Sequence, residues 1–188
     1  MVKRFQPNDR RGRGVSVVRI RLRPMPGLPF DPIDEAARQW ALRWDGVPAM
    51  HAVTSLMRVQ QLVLGRLDAL LKPYGLTFAR YEALVLLCFS SHGSLPLGKM
   101  GERLQVHPTS ITSIVQRLEA DGLVARRPHP DDGRAVLAEI TDAGRAVVER
   151  ATAELVGADF ALGALSDEQL AELSALLAPV RRGAGDFA

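Results

Sequence analysis

Between Pro108 and Asp121 the side chains that can donate and accept hydrogen bonds gather on one side of a helical repeat. Ile111, Ile114, Val115 and Leu118 recur at i, i+3, i+4 and i+7 and share a face, leaving Thr109, Thr112, Ser113, Gln116 and Arg117 opposite. That outer face carries short hydroxyls, one amide and one guanidinium, with no carboxylate before Glu119. A surface facing only water usually mixes Glu and Lys at such positions. A surface that enters the major groove of a duplex must keep anions away from phosphate and present donors and acceptors to base edges. The helix N-terminus adds positive potential toward phosphate. Taken alone, a Ser/Thr-rich face is ordinary solvated surface, so its neighbours in the chain decide the matter.

Those neighbours form an ordered series. A small helix from about Gly98 to Leu104 precedes it, linked through the tight Gln105-Val106-His107 segment, and Leu95-Pro96-Leu97 before that is too short for an independent strand. After it, Leu123 to Arg127 and Ala135 to Ile140 are strand-like and meet at a hairpin tip, His129-Pro130-Asp131-Asp132-Gly133. Arg126, Arg127 and Arg134 flank the hairpin, where they could grip phosphates or probe a narrow minor groove. The order is helix, turn, helix, wing.

Longer helices bracket this head. Asp31 caps a first helix, with Pro32 at its first position and Asp34 and Glu35 in the first turn, predicted to end near Asp45-Gly46. A second runs from Pro48 to Lys72, with apolar residues on several faces, among them Val53, Leu56, Met57, Val59, Leu62, Leu64, Leu67 and Leu71. Gly75 ends it, and Thr77 caps a core helix over about 78–90. Two helices close the chain. One extends from Thr141 to about Phe160, and the other opens on the capping box Ser166-Asp167-Glu168-Gln169 and carries the stripe Leu170, Leu173, Leu176, Leu177 and Val180. The helix from Pro48 to Lys72, apolar on more than one face, needs partners on more than one side.

Bulk properties exclude several classes. No apolar run approaches the roughly 20 residues of a bilayer span, and no apolar signal core follows Met1-Val2-Lys3-Arg4, so the chain reads as cytoplasmic. The net charge of +3 conceals an asymmetry, because residues 1–30 hold eight basic residues against Asp9 alone. That segment also has four of the twelve prolines, and reads as a basic arm whose Arg19-Ile20-Arg21-Leu22-Arg23 run suits a short edge strand or an anion. Cys88 is the only cysteine, expected to act as a small buried hydrophobe. It stands four residues before His92, but two ligands do not make a metal site, and His51, His107 and His129 show no ligand spacing. No nucleophile elbow, phosphate-cradling glycine loop or carboxylate pair is present, so neither catalysis nor a cofactor is expected.

The chain resembles the MarR family of transcriptional regulators over about residues 48–182. The residues that carry the resemblance are Leu95-Pro-Leu-Gly-Lys-Met-Gly-Glu-Arg-Leu104, Thr109-Ser-Ile-Thr-Ser-Ile-Val-Gln-Arg-Leu-Glu-Ala-Asp-Gly-Leu-Val124, Arg126-Arg-Pro-His-Pro-Asp-Asp-Gly-Arg-Ala135 and Ile140-Thr-Asp-Ala-Gly144. The resemblance implies a mainly α fold with a small β-wing, in which a winged helix-turn-helix head is joined to a helical dimerisation region. It divides the chain into an arm (1–30), an extra helix (31–46), a dimerisation helix (47–74), the head (75–140), C-terminal dimerisation helices (141–182) and a tail (183–188). Residues 108–121 become the recognition helix, Arg134 the wing-tip residue in the minor groove, and Asp132 the partner of wing arginines such as Arg126. The candidate DNA-contacting set is Lys99, Arg103, His107, Thr109, Ser110, Thr112, Ser113, Gln116, Arg117, Arg127 and Arg134.

The extra N-terminal helix with Trp40 resembles a branch of the family that senses urate-like or related anionic metabolites. Trp40, Glu82 and Arg126 match that pattern, with Glu in place of the usual Asp, whereas Phe89 and Ser113 stand where arginines are expected. The expected partners are therefore double-stranded DNA, a second copy of the chain and a small anionic or aromatic effector, with no membrane. The rival reading is a winged-helix protein-interaction module without specific DNA readout.

Overall fold

The computed structural model describes residues 27–129 and 132–188, with residues 132–134 as backbone only. The arm's alternating run at 19–23 lies outside them, as do Pro130 and Asp131 of the hairpin tip. The chain divides at His51/Ala52 into two units, each taken on its own terms.

In the N-terminal unit, helix α1 spans Pro32–Ala41, and the Asp31 carboxylate caps it by accepting the Ile33 N–H at 2.8 Å. The helix stops short of the expected Asp45-Gly46. The Trp40 carbonyl takes the N–H groups of both Arg43 and Trp44 at 2.9 Å, and the Trp40 indole N–H donates to the Asp45 carbonyl at 2.8 Å. These bonds satisfy the exiting chain as a turn, which Gly46 completes at φ +74°. Trp40 and Trp44 pack with ring centroids 4.8 Å apart, and His51 Nε2 lies 2.9 Å from the Asp34 carboxylate.

Helix α2, Val47–Leu71, runs into the C-terminal unit, where Leu67, Leu70 and Leu71 are buried. A 3-10 turn at Lys72–Tyr74 and left-handed Gly75 lead to α3, Phe78–Phe89, capped by Thr77. Strand β1 (Ser94–Pro96), α4 (Leu97–Leu104), α5 (Pro108–Ala120), β2 (Val124–His129) and β3 (Asp132–Ile140) complete the head; α6 (Asp142–Gly157) and α7 (Asp167–Gly183) follow. The sheet is antiparallel in the order β1-β3-β2. Segment 95–97, read as too short to stand as a strand, is divided: Leu95 and Pro96 join Ser94 in β1, because β3 offers a free edge and pairs Ala138 with Leu95, and Leu97 opens α4. The proline at Pro96 fits such an edge, where a missing N–H costs least.

One core unites the head with α6. Leu84 and Leu87 of α3, Met100 of α4, Ile111, Val115 and Leu118 of α5, Ala138 of β3 and Leu155 of α6 are almost fully enclosed, and the Tyr81 hydroxyl is the one polar side-chain group among the buried residues described. The Tyr81 and Thr152 hydroxyls bond at 2.8 Å and tie α3 to α6. Helix α6 ends at Gly157, earlier than expected, because Asp159, Phe160 and Ala161 take positive φ. The predicted capping box at Ser166 and Gln169 is present.

A second apolar set stays uncovered. Val53, Leu56, Met57, Val59, Leu62 and Leu64 along α2 are exposed, and α7 has no buried residue, with Leu176 73% and Val180 65% exposed. No described helix is long and apolar enough to cross a membrane.

Candidate nucleic-acid interface

The turn between α4 and α5 positions the polar face. Gln105 adopts the left-handed conformation (φ 51°, ψ 41°), and the Val106 N–H reaches back to the Gly101 carbonyl at 3.0 Å. Glycine suits position 101 because a Cβ there would sit 3.2 Å from the Val106 carbonyl oxygen and 3.5 Å from Ile111. The close approach lets α4 and α5 cross tightly. Burial of Ile111, Val115 and Leu118 then fixes the rotation of α5 and turns Thr109, Ser110, Ser113, Gln116 and Arg117 to solvent.

Pro108, Thr109, Thr112, Ser113 and Gln116 line one shallow open groove, so the structure gathers four of the nominated residues in a single strip. Thr112 departs from a purely outward reading. It is half-buried, and its hydroxyl donates to the Pro108 carbonyl at 2.9 Å, which leaves its oxygen as an acceptor. His107 caps α5, its Nδ1 accepting the Thr109 N–H at 3.3 Å. Lys99 and Arg103, four residues apart on α4, are exposed and share a face.

Arg126 and Arg127 of the wing are held by carboxylates. Arg126 Nε donates to Glu119 Oε2 at 2.6 Å while its backbone N–H donates to Glu119 Oε1 at 3.3 Å, and Arg127 pairs with Glu139 of β3. The expected partner of Arg126, Asp132, has a side chain outside those described, as has Arg134; the described hold on Arg126 comes from Glu119. Sequence reasoning also missed Arg80, which reaches from α3 to the carboxylate of Asp121, the C-cap of α5, at 3.0 Å. No spacing rule could have shown it, since the two lie 41 positions apart.

The nominated effector residues fall on separate elements. Trp40 belongs to α1 in the N-terminal unit, with its indole N–H bonded to Asp45. Glu82 lies on the solvent side of α3, yet partial burial pushes its carboxyl above the usual carboxylate range. Arg126 is engaged by Glu119. Cys88 is half-buried, and burial raises its thiol, with the nearby Arg145 charge opposing the shift and Glu149 adding to it. Among the described residues no group of three His, Cys, Asp or Glu side chains gathers for a metal.

Comparison with known proteins agrees with this geometry. The MarR family profile matches residues 80–136. The organic hydroperoxide resistance transcriptional regulator of Bacillus subtilis is 33% identical over 108 residues, 57% of this chain and 71% of that protein. A solved MarR family transcriptional regulator from Streptomyces coelicolor is 60% identical, with a TM-score of 0.71 over 76% of this chain and 99% of its own. A second from the same organism, solved in complex with DNA, is 26% identical, with a TM-score of 0.69 over 75% of this chain and 90% of its own. With this head, this wing and these relatives, the chain belongs to the MarR family of transcriptional regulators.

Proposed function

We propose that the protein represses transcription as a homodimer that reads a pseudo-palindromic operator and is released from it by a small ligand. The observation that carries the reading is the carboxylate-free strip from Thr109 to Gln116, held outward by a fully packed inner face on α5. Thr112, Ser113 and Gln116 read bases; Lys99, Arg103, His107, Thr109, Ser110, Arg117 and Arg127 grip phosphate, and Arg134 enters the minor groove. The exposed Arg127–Glu139 pair is no obstacle, because an ion pair of this kind is worth only about 0.2–1 kcal/mol and opens readily to a phosphate.

Dimerisation is supported by the uncovered apolar faces of α2 and α7, in line with helices over 47–74 and 141–182 serving as the dimer region and 75–140 as the head. Two-fold pairing would set the recognition helices on half-sites about one helical turn apart. The effector belongs to the same proposal: a small anionic or aromatic molecule, for which an indole wall or a guanidinium is a suitable contact. A repressor of this kind acts in the cytoplasm and catalyses nothing.

The test is binding to the DNA upstream of the protein's own gene against scrambled duplex, across a salt series. Wild-type protein should prefer the upstream duplex, and Arg134→Ala should weaken binding and flatten the salt slope. Equal affinity for both duplexes would favour the protein-interaction reading instead. Titration of Trp fluorescence with urate or a tricarboxylate, with Trp40→Phe as control, tests the effector.

A further inference from the structure

Helix α5 and strand β2 meet at a short turn, and two devices tie the end of the helix directly to the chain that follows it. The first is local. Gly122, at φ +72°, donates its N–H to the Glu119 carbonyl, and Leu123 donates to the Leu118 carbonyl, both at 2.9 Å. This paired closure fixes where the chain leaves the helix. Beyond it Leu123 and Val124 are seated by burial in the core, the Leu123 carbonyl by the Thr141 N–H, and Val124 and Ala125 by their pairing with β3; none of these bonds joins the strand at Arg126 directly to α5.

The second device spans that interval. The Glu119 carboxylate takes the backbone N–H of Arg126 on one oxygen and the guanidinium Nε on the other, at 3.3 and 2.6 Å. One side chain in the last turn of the helix thus holds both the main chain and the side chain of a strand residue seven positions on. Each partner's side chain is only about a third exposed (37% for Arg126, 35% for Glu119), so solvent screens the pair less than it screens Arg127–Glu139, where Arg127 is 65% exposed. The outer pair joins two strands of one sheet and cannot govern the angle between helix and wing.

A glutamate at this place is costly on two counts. It puts negative charge at the C-terminal end of a helix, where the dipole disfavours it, and it brings an anion to an element whose first eleven residues carry none. A residue needed only for solubility would not be placed there, whereas its double bond to Arg126 gives it a task.

We propose that Glu119 is a positioning residue for DNA recognition: through Arg126 it locks the wing strand to the recognition helix, so that the wing and α5 engage their grooves together. This rests on the reading of α5 and the hairpin as the DNA-contacting pair. Glu119 itself touches no base. Its loss lowers affinity for sites that need both contacts and leaves the base preference of α5 intact.

The experiment uses duplexes of about 30 base pairs, about three helical turns, selected by the wild-type protein from a random pool. Glu119→Gln, Arg126→Gln and the double variant are compared by affinity and by hydroxyl-radical footprint, with thermal melts confirming that each is folded. Glu119→Gln should weaken binding about five- to ten-fold, and the double variant should bind no more weakly than the weaker single variant, because both substitutions break one link. The footprint should lose protection at the outer flanks and keep it at the centre, with the selected bases unchanged. Additive losses, a footprint that fades uniformly, or unaltered affinity in Glu119→Gln would each overturn the positioning role alone. If wild-type protein selects no duplex, the DNA reading itself falls, and this inference with it.

Discussion

Substituting Gly144 by alanine tests how the wing is rooted. Gly144 lies in the first turn of α6, and its N–H bonds the Thr141 hydroxyl oxygen at 3.0 Å. A Cβ at Gly144 would stand 2.8 Å from Ile140 Cγ1 and 3.2 Å from the Leu123 carbonyl carbon, and closer still to that carbonyl's oxygen. The oxygen cannot swing away freely. It accepts the Thr141 N–H at 3.1 Å, while the Thr141 hydroxyl donates to the Gly122 carbonyl at 2.9 Å and the Ile140 N–H to the Gly93 carbonyl at 2.9 Å. Overpacking against fixed backbone costs about 1–3 kcal/mol, and this site belongs at the upper end. Better helix propensity returns at most about 1 kcal/mol. The net loss of about 1–2 kcal/mol corresponds to a Tm lower by roughly 2–8 °C for a chain of this size. Gly157→Ala in the same helix, where nothing lies within 4 Å, is the control and should leave Tm unchanged or slightly raised. Both are measured at one protomer concentration, since dimer stability depends on it. A Gly144→Ala protein as stable as wild type would refute the reasoning.

Three further outcomes are expected. Gln116→Ala should relax discrimination at one operator position per half-site by about 1–3 kcal/mol without altering the melt, as read by competition with single-base operator variants. If the uncovered faces of α2 and α7 form the dimer seam, Leu62→Lys or Leu176→Lys should yield monomer at micromolar concentration in sedimentation experiments, because each places a charge in that seam; a dimer of wild-type affinity in both would argue that other residues form the interface. Glu82→Gln should stabilise the protein at neutral pH. Burial raises the folded-state pKa of this carboxyl, so the folded chain holds the proton more tightly than the unfolded one, and the penalty on its charged form is fully present above the raised value. The advantage should shrink as pH falls through that value and vanish below the ordinary carboxylate range, which melts from pH 8 to pH 3 would reveal.

The parts of the fold legible in the sequence were those written in local periodicity. The apolar spacing Ile111, Val115, Leu118 and the proline at Pro108 locate α5 because a helix buries one stripe and tolerates proline in its first turn, and Ser166 with Gln169 announces α7 for an equally local reason. Strand β1 was not legible, since three residues acquire strand character only from β3, which begins 36 positions after β1 ends. Nor was the end of α1, where Trp40 stops the helix through an indole bond to a carbonyl five residues on. Helix-end rules read caps and glycines, and an aromatic N–H closing a turn is invisible to them.

The site divides along the same line. A face defined by a single helix, from Thr109 to Gln116, could be read from spacing because rotation about one axis settles which side chains share it. Contacts between elements could not, and these are the contacts that give the face its orientation. Arg80 to Asp121 fastens the end of α5 to α3, and Glu119 to Arg126 fastens it to the wing. Sequence alone gave Glu119 one meaning, the point where the carboxylate-free surface ends. In the folded chain that same carboxylate bonds the wing strand at Arg126, so the residue that ends the carboxylate-free strip is also the one that ties the helix to the wing. A protein that must present a helix and a hairpin to two grooves at once gains from such economy, because a side chain that both limits the anion-free surface and sets the angle of its neighbour cannot be altered for one purpose without disturbing the other.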